Sequence, residues 1–189
     1  MLRSVSRIIF LHLHENRNGG TFGMALFAWE AYNKGKTVYC NCQETVDGRV
    51  VHILNFPHEH YRFDELRQME LFNCYLMADE ALEFLDAFDA PKKAMREISY
   101  FTGQAKKRGV DLHLDTIRIK NIYNRVRLNV DGWIETFRYP RNILLPVQAI
   151  RFEVTPRYGR VRKFTIAQPM LGRLLKIYNH LAQVTPPGN

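Results

Sequence analysis

The chain alternates between short apolar runs and segments with helical periodicity. Four runs rich in branched or alternating apolar residues predict buried β-strands, at positions 7–14, 37–42, 73–80 and 110–116. Between the first two runs, apolar residues spaced four and then three apart predict a helix over 22–33, and Gly35 stands where a helix C-terminal glycine belongs. Strands that alternate with helices predict a mostly parallel sheet flanked by helices.

The remaining segments extend this α/β pattern and change it near the C-terminus. Further helices are predicted over 63–72, 94–107 and 120–130, whereas 43–60 is expected to be irregular, with a turn at 47–48. Beyond Gly132, alternating segments predict three more strands, at 133–139, 149–155 and 160–167. The last two read as an antiparallel β-hairpin, and a closing helix is predicted over 171–183.

One domain is expected, because 189 residues that are 46% apolar can bury one sizeable core. We divide it into an α/β core (1–131), a β-rich addition (132–168), a closing helix (169–185) and a tail (186–189). No apolar run approaches the roughly 20 residues of a membrane-spanning helix. Three cysteines are too few for a disulfide framework. We therefore expect buried thiols in a soluble protein, cytoplasmic or virion-associated, with no membrane partner.

Two histidine pairs, His12 with His14 and His58 with His60, have the spacing of partial metal sites. Such i, i+2 pairs in unrelated segments are more typical of ordinary strand-edge and loop residues. Cys40 and Cys42 lack a second ligand pair at zinc spacing. We predict no metal site from these residues.

The positive charge is concentrated in one part of the chain. The net charge is +8, and the segment 118–163 holds eleven bases but three acids. Such a field attracts polyanions, although a solvated basic face without a partner remains an alternative. The candidate nucleic-acid contacts are Arg118, Lys120, Arg125, Arg127, Arg157, Arg160, Arg162 and Lys163. Tyr158 is expected near a hairpin tip, where it can stack on a base. No base-reading motif is present, so binding to DNA should be sequence-independent and sensitive to salt.

The turn after the first strand has the frame of a phosphate-binding loop that opens a helix. In the pattern G-x-x-x-x-G-K-[ST], backbone N–H groups cradle phosphates, the lysine neutralises their oxygens and the hydroxyl binds magnesium. Aligned on the flanking elements, the frame places Thr21 at the lysine position and Phe22 at the hydroxyl position. The loop-like residues are Glu15, Asn18, Gly19, Gly20, Thr21 and Phe22. An ordinary strand–turn–helix connection is the alternative.

Two adjacent acids end the third predicted strand. Asp79 and Glu80 follow the run "CYLMA". In a Walker B motif the Asp holds magnesium and the Glu orients and deprotonates the attacking water. The alternative is that this pair caps the following helix, because acids are favoured at helix N-termini.

Several segments, in this order, resemble those of a known group of ATPases: "GKTVYCNC" (35–42), "CYLMADEALEFLDA" (74–87), "ISYFTGQAKKRGVDLHLDT" (98–116) and "NIYNRVRLNVD" (121–131). They are similar to P-loop ATPases of the FtsK–HerA group, in particular the zonula occludens toxin-like and the viral or plasmid DNA-packaging ATPases. The resemblance covers about residues 7–131. Its most specific part is "FTGQAKKRGVD" (101–111), because in those relatives such a helix ends in a basic turn before the sensor strand.

The resemblance implies roles for individual residues. It makes Asp79 and Glu80 the Walker B pair, and Lys107 or Arg108 the candidate base that faces a neighbouring subunit's nucleotide. The polar sensor of the family should fall near Ile117, where this chain has none. With lysine, hydroxyl and sensor all expected to be missing, the Walker A motif is degenerate. Losing one charged phosphate contact removes about 1.5–3 kcal/mol, and losing one transition-state donor can slow a reaction about 100–1000-fold.

The leading hypothesis is therefore a P-loop-fold protein with a degenerate nucleotide site and slow or absent ATP hydrolysis. It would act by binding DNA, or by assembling with itself or with a viral or plasmid motor partner, and no cofactor is expected. The alternative is an active DNA-packaging ATPase that uses ATP and Mg²⁺, with a displaced cation such as Lys34 or Lys36, or Lys107 from a partner chain. The third possibility is a basic structural or accessory protein whose α/β fold does not descend from a nucleotide-binding protein.

Overall fold

A computed structural model describes residues 8–13, 19–41, 43–46, 49–62, 65–66, 68–79, 81, 85, 92–142 and 144–179. For 43–46, 49–52 and 92–98 it describes the backbone alone. The elements are strands β1 (Ile9–Leu13), β2 (Val38–Cys40), β3 (Gln43–Val46), β4 (Arg49–His52), β5 (Glu59–His60), β6 (Tyr75–Ala78), β7 (Asp111–Thr116), β8 (Gly132–Tyr139), β9 (Ala149–Pro156) and β10 (Arg162–Ala167). The α-helices are α1 (Gly20–Asn33), α2 (Lys92–Ala105), α3 (Asn124–Arg127) and α4 (Met170–Leu174).

Eight strands form one sheet in the order β10-β9-β8-β1-β7-β6-β2-β5, and β3 pairs with β4 separately. Every pairing from β8 through β1, β7, β6 and β2 to β5 is parallel. The pairings of β8 with β9 and of β9 with β10 are antiparallel. The predicted fold class is confirmed: a mostly parallel α/β sheet with an antiparallel C-terminal hairpin.

Both faces of the parallel strands are buried, as their continuous apolar sequences require. One face carries Leu11, Leu76 and Leu114, which pack against Phe101 and Ala105 of α2. The opposite face is covered by α1, through the small residues Ala25 and Ala28 and the larger Met24 and Phe22. Helix α1 therefore begins at the edge where the parallel strands end and runs across this face toward the edge where they begin.

Helix α1 ends as its sequence predicts. Gly35 has a φ of 79°, which a glycine adopts without steric cost. Its N–H donates to the carbonyl of Tyr32, and the N–H of Lys36 donates to that of Ala31. These two bonds make a Schellman motif that satisfies the last carbonyls of the helix.

Other predicted elements differ from those observed. The segment expected to be irregular contains the β3–β4 hairpin, whose connection, 47–48, lies outside the described residues. The helix predicted over 120–130 is a single turn, α3, preceded by a 3-10 turn at Ile119–Asn121. The described part of the closing helix is α4 followed by a 3-10 turn at Leu175–Ile177. In the described part of 63–72 no α-helix forms.

The hairpin addition joins the core sheet without a break, because β8 is a parallel neighbour of β1. Gly132 allows this approach. A Cβ at that position would lie 2.8 Å from Cα of Pro156 and 2.7 Å from the Phe10 ring, and would also collide with the carbonyl of Thr155. The division of the chain at residue 131 stays a prediction.

Two carboxylates fix the beginning of β1. Asp111 accepts a hydrogen bond from the N–H of Ile8 and pairs with Lys36 at 2.5 Å. Asp131 accepts one from the N–H of Ile9 and pairs with Lys106 at 2.5 Å. Both acids begin neighbouring segments of the sheet, so β1 is held from both sides.

The cysteines differ from the expectation of thiols throughout. Cys74 is a free, buried cysteine, and burial raises its pKa to about 11. Cys40 is disulfide-bonded, so the expectation is wrong for that residue. Among the described residues, no helix is both long and apolar enough to cross a bilayer.

Candidate functional sites at the two edges of the sheet

The parallel strands give the sheet two distinct edges. At the C-terminal edge, where β1, β6 and β7 end, lie Gly19, Asp79 and Thr116. At the basal edge, where these strands begin, lie Arg108 and the tip of the β9–β10 hairpin. In open parallel sheets, ligands bind outside the carboxyl ends of the strands.

The phosphate-loop-like segment leads into α1 at the C-terminal edge. Gly19 has a φ of 89°, and its carbonyl accepts the first intrahelical hydrogen bond, from Gly23 N–H at 2.9 Å. Gly19 is thus the glycine that the turn requires, and Gly20 is the first helical residue. Glu15 and Asn18 lie outside the described residues.

The side chains of Thr21 and Phe22, at the start of α1, have different surroundings. The Thr21 hydroxyl donates to Asp79 Oδ1 at 3.3 Å, whereas Phe22 is 1% exposed and packs near Phe152 and Tyr178. The chain therefore places a hydroxyl beside the carboxylate that ends β6. The alignment of the phosphate-loop frame on Thr21 and Phe22 stays a prediction.

Asp79 is 3% exposed and is held by a residue that the sequence analysis did not select. Asn41, just beyond β2, accepts the Asp79 N–H at 2.8 Å and donates to the Asp79 carbonyl at 2.9 Å. Both backbone groups of Asp79 are thereby fixed by one side-chain amide. Burial, and then the Asp79 charge, raise the pKa values of Tyr61 and Tyr178. Glu80 lies outside the described residues.

The end of β7 lies between β1 and β6 and carries polar side chains. The Thr116 hydroxyl donates to the carbonyl of Arg118 at 3.1 Å, while Ile117, at the expected sensor position, is 47% exposed. Asp115 is buried and shares the α1 face with His113 because side chains alternate along a strand. In register it lies beside His12 of β1. The polar character of this strand end is therefore carried by Asp115 and Thr116.

Beneath this edge, two histidines meet inside the sheet. His12 Nε2 and His113 Nδ1 are 2.7 Å apart, with both residues buried. Burial, and then the charge of Lys36, lower the pKa of His113 from 6.5 to about 3. His58 is elsewhere, 2.8 Å from the carbonyl of Phe56. In the described parts of the chain, no three His, Cys, Asp or Glu residues form a group that could hold a metal ion.

The predicted replacement cations lie far from Gly19. Lys34 pairs with Glu30 and Lys36 with Asp111, both beyond the far end of α1. Fourteen helical residues span roughly 21 Å, so neither lysine reaches the loop of its own chain. Lys107 and Arg108 lie at the basal edge too, where the Arg108 guanidinium lies 5.7 Å from the centre of the Phe72 ring. Arg108 is therefore not part of the Asp79 site within one chain. Its role toward a neighbouring subunit stays a prediction.

The basal edge gathers arginines from α3 and the β9–β10 hairpin. Arg157 Nη1 donates to the Leu128 carbonyl at 2.6 Å, which joins the hairpin tip to the turn after α3. Tyr158, at the tip, is 85% exposed. We call the following five residues the basal arginines, and none has an ion-pair partner in the described part of the chain: Arg125, Arg127, Arg157, Arg160 and Arg162.

The predicted set of nucleic-acid contacts is therefore divided. Arg118 and Lys120 follow β7 at the C-terminal edge, remote from the hairpin tip. Lys163 pairs with Glu153 at 3.0 Å, and Arg151 pairs with the same carboxylate at 2.8 Å. Strand direction therefore separates Arg118 and Lys120 from the basal arginines, whereas Lys163 lies next to Arg162 and shares one carboxylate with Arg151.

Several solved structures share this fold over most of the chain, although their sequence identity to it is low. The N-terminal domain of zonular occludens toxin from Neisseria meningitidis matches with a TM-score of 0.64 and 14% identity, over 93% of this chain and 100% of that one. The genome-packaging NTPase B204 of Sulfolobus turreted icosahedral virus 2, in complex with ATP-gammaS, matches with a TM-score of 0.55 and 13% identity, over 86% and 97%. The DNA-packaging ATPase B204 of Sulfolobus turreted icosahedral virus gives 0.59 and 13%, over 85% and 98%.

No family model and no curated protein matches the sequence significantly. At such low identity the structural matches establish the fold and leave the activity open. The strand order, the glycine turn into α1 and the matches together show that the chain has a P-loop NTPase-like fold.

Proposed function

We propose that this protein binds a magnesium–nucleoside triphosphate at the C-terminal edge of its sheet, hydrolyses it slowly or not at all, and binds DNA. The observation that carries the nucleotide part is the hydrogen bond between the Thr21 hydroxyl and Asp79. A hydroxyl on the first turn of a helix beside a buried strand-end carboxylate is the magnesium-binding half of a P-loop site. The matched B204 structure is a complex with ATP-gammaS, which supports a nucleoside triphosphate as the ligand.

In this proposal Gly20 takes the lysine position and Thr21 the hydroxyl position, one residue earlier than the sequence alignment placed them, and slow turnover follows from this assignment. Gly20 has no side chain, so the loop supplies backbone N–H groups and a helix N-terminus but no cation at that point. Stabilisation of charge in the transition state is usually the largest catalytic term, and loss of one donor can cost about 100–1000-fold in rate. Binding loses less than turnover, because backbone N–H groups contact the phosphates in the ground state as well.

The proposed DNA contact is at the opposite edge, through the basal arginines. Within the described residues these five guanidinium groups have no acidic partners, and beside an exposed tyrosine they suit a phosphate backbone with no base-specific contact. The matched B204 structures are a genome-packaging NTPase and a DNA-packaging ATPase, which favours DNA as the polyanion. We place the protein, as a proposal, among the FtsK–HerA type ATPases that assemble into motors or with motor partners.

The nucleotide part is tested with ATP and MgCl₂ on the wild-type protein and on Thr21→Val and Thr21→Ser. Binding followed by calorimetry should be magnesium-dependent in the wild type and in Thr21→Ser, which keeps the hydroxyl. In Thr21→Val the affinity should fall about tenfold or more, because one charge-assisted contact is lost. Equal affinity for all three proteins, or affinity that ignores magnesium, would refute the proposed site.

A further inference from the structure

The basal edge exposes an aromatic ring and two apolar side chains as well as arginines. Tyr158, at the tip of the β9–β10 hairpin, is 85% exposed. Val161 of the same tip is 47% exposed, and Leu128, in the turn after α3, is 59% exposed. Phosphate contacts of the basal arginines do not use these three side chains. Binding to a phosphate backbone alone therefore gives no reason for their exposure.

Two hydrogen bonds attach the hairpin tip to the turn after α3. The Arg157 N–H donates to the carbonyl of Asp131, and Arg157 Nη1 donates to the carbonyl of Leu128 at 2.6 Å. Gly159 then turns the chain with a φ of 119°, which a glycine adopts without steric cost. Because Tyr158 directly follows Arg157, its ring is carried by an anchored turn that also contacts the Leu128 segment. The exposed side chains of the two segments therefore belong to one surface.

Apolar and basic residues alternate on this surface. Each exposed apolar side chain is next in the chain to a basal arginine: Leu128 follows Arg127, Tyr158 follows Arg157, and Val161 lies between Arg160 and Arg162. A nucleic acid strand alternates in the same way, because each phosphate is followed by a sugar and a base. The surface can thus contact phosphates and bases at the same time.

Single-stranded and double-stranded DNA differ in what they offer to an exposed ring. A duplex stacks its bases inside, so Tyr158 would meet a base face only if a base step were unstacked, which costs free energy. A single strand presents unstacked bases beside its phosphates. Aromatic side chains in a basic surface are the usual means of binding such a strand without sequence preference, since every base has a π-face. The absence of a base-reading motif in the sequence agrees with this mode.

We infer that the DNA bound at the basal edge is single-stranded, with one base stacked on Tyr158 and the flanking phosphates bound by the basal arginines. This rests on the proposed DNA binding and names the form of DNA that the surface accepts. Leu128 and Val161 supply apolar contacts to the sugar or to the next base. Stacking involves no counterion, so the contribution of Tyr158 to affinity should not depend on salt, in contrast to that of the arginines.

The test uses three fluorescent probes of equal length: oligo(dT), a strand of abasic sites that keeps the phosphates, and a duplex. Anisotropy measures their affinities for the wild type, Tyr158→Phe and Tyr158→Ala. The wild type should bind oligo(dT) about tenfold more tightly than the abasic strand, and more tightly than the duplex. Tyr158→Ala should lose about tenfold in affinity for oligo(dT) alone, whereas Tyr158→Phe keeps the ring and should match the wild type.

The control is Phe72→Ala. Phe72 is another exposed aromatic residue at the basal edge, and it lies beside Arg108 just before β6. Three strands separate β6 from β9 in the sheet, which corresponds to roughly 19 Å. Phe72→Ala should therefore bind all three probes as the wild type does. Tyr158 and Phe72 are both mostly exposed, so these substitutions should leave the fold intact.

The outcomes separate this inference from the proposed function. If the wild type binds the duplex as tightly as oligo(dT), or if Tyr158→Ala keeps its affinity for oligo(dT), the inference is overturned and DNA binding by the basal arginines stands. An equal loss by Tyr158→Ala on all three probes also overturns it, because the abasic strand has no base to stack. If the wild type binds none of the probes, the proposed DNA binding and the inference are both overturned.

Discussion

At the C-terminal edge of the sheet the functional candidates are few and buried, whereas at the basal edge they are exposed and mostly arginine. Asp79 is 3% exposed, and the Asn41 side chain from another segment binds both of its backbone groups. Tyr158 at the basal edge is 85% exposed, and the nearby arginines have no acidic partner in the described chain. Buried polar groups hold a defined geometry, as a small ligand requires, while exposed bases adapt to a repeating backbone.

The two edges also differ in how well they tolerate substitutions. At the buried edge, every polar group needs a partner, so a single substitution changes stability as well as affinity. At the exposed edge, one arginine can be replaced at little cost to folding, since surface substitutions usually change stability by less than about 0.5 kcal/mol. The two edges can therefore be disturbed independently.

The largest expected effect is a loss of stability in acid, which arises beneath the C-terminal edge. Because the pKa of His113 is about 3 in the folded protein and 6.5 ordinarily, the unfolded chain binds a proton that the folded chain does not. Stability is full above about pH 6.5 and falls as the pH drops toward 3, by roughly 2 kcal/mol at pH 5 and up to about 5 kcal/mol near pH 3. Urea unfolding at pH 8, 6 and 5 measures this decrease in the free energy of unfolding.

The matched variant for this prediction is His113→Gln, which cannot titrate. It should be less stable than the wild type at pH 8, yet lose less stability between pH 8 and pH 5. The arginines at the basal edge keep their charge over this range, because arginine does not deprotonate in proteins. A wild-type stability that is flat from pH 8 to pH 5 would contradict the buried, neutral state of His113.

The second effect concerns the basal edge. In the triple variant Arg125→Gln, Arg160→Gln and Arg162→Gln, affinity for DNA at 100 mM salt should fall about a hundredfold or more, since three charge-assisted contacts are lost. The slope of log affinity against log salt should decrease by about 2 to 3. Fluorescence anisotropy with labelled DNA measures both, and ATP affinity should not change.

Its control removes the same charge from other surfaces, with Lys34→Gln, Arg62→Gln and Arg173→Gln. If both triple variants lose DNA affinity equally, the effect is one of net charge, and the basal edge is not a specific contact surface. A reduced ATP affinity in the basal variant alone would show that the two edges are coupled.

The smallest effect concerns the support of Asp79. Replacing Asn41 with alanine removes the side chain that binds both backbone groups of Asp79. Magnesium-dependent ATP affinity should fall about tenfold, which is the usual cost of losing an outer support of a metal ligand. Asn33→Ala, at the end of α1, is the control. Calorimetry on both variants would refute this role for Asn41 if they bind ATP equally well.

The pattern of apolar residues predicted most of the strands of the sheet, because a run of branched apolar residues such as "RIIFLHLH" is typical of a buried strand. The hairpin at β3–β4 was not predicted, since each of its strands has only four residues and neither shows a strict alternation of apolar and polar residues. Helices α3 and α4 are single turns in segments whose apolar spacing predicts longer helices. Tertiary packing can override such a local pattern.

The site was harder to predict than the fold. The sequence does not distinguish Gly19 from Gly20, and only the backbone conformation identifies Gly19 as the turn residue. Asn41 was missed because one polar residue after a strand gives no local signal.

The pair of aspartates at the start of β1 has a consequence for how the sheet assembles. Strand β1 is inserted between β7 and β8, which follow it by about a hundred residues, so no turn can set its alignment. A slip by one residue would reverse every side chain of β1 and detach Ile8 and Ile9 from Asp111 and Asp131. The two carboxylates therefore act as a register lock, which allows a distant insertion to reach a single alignment.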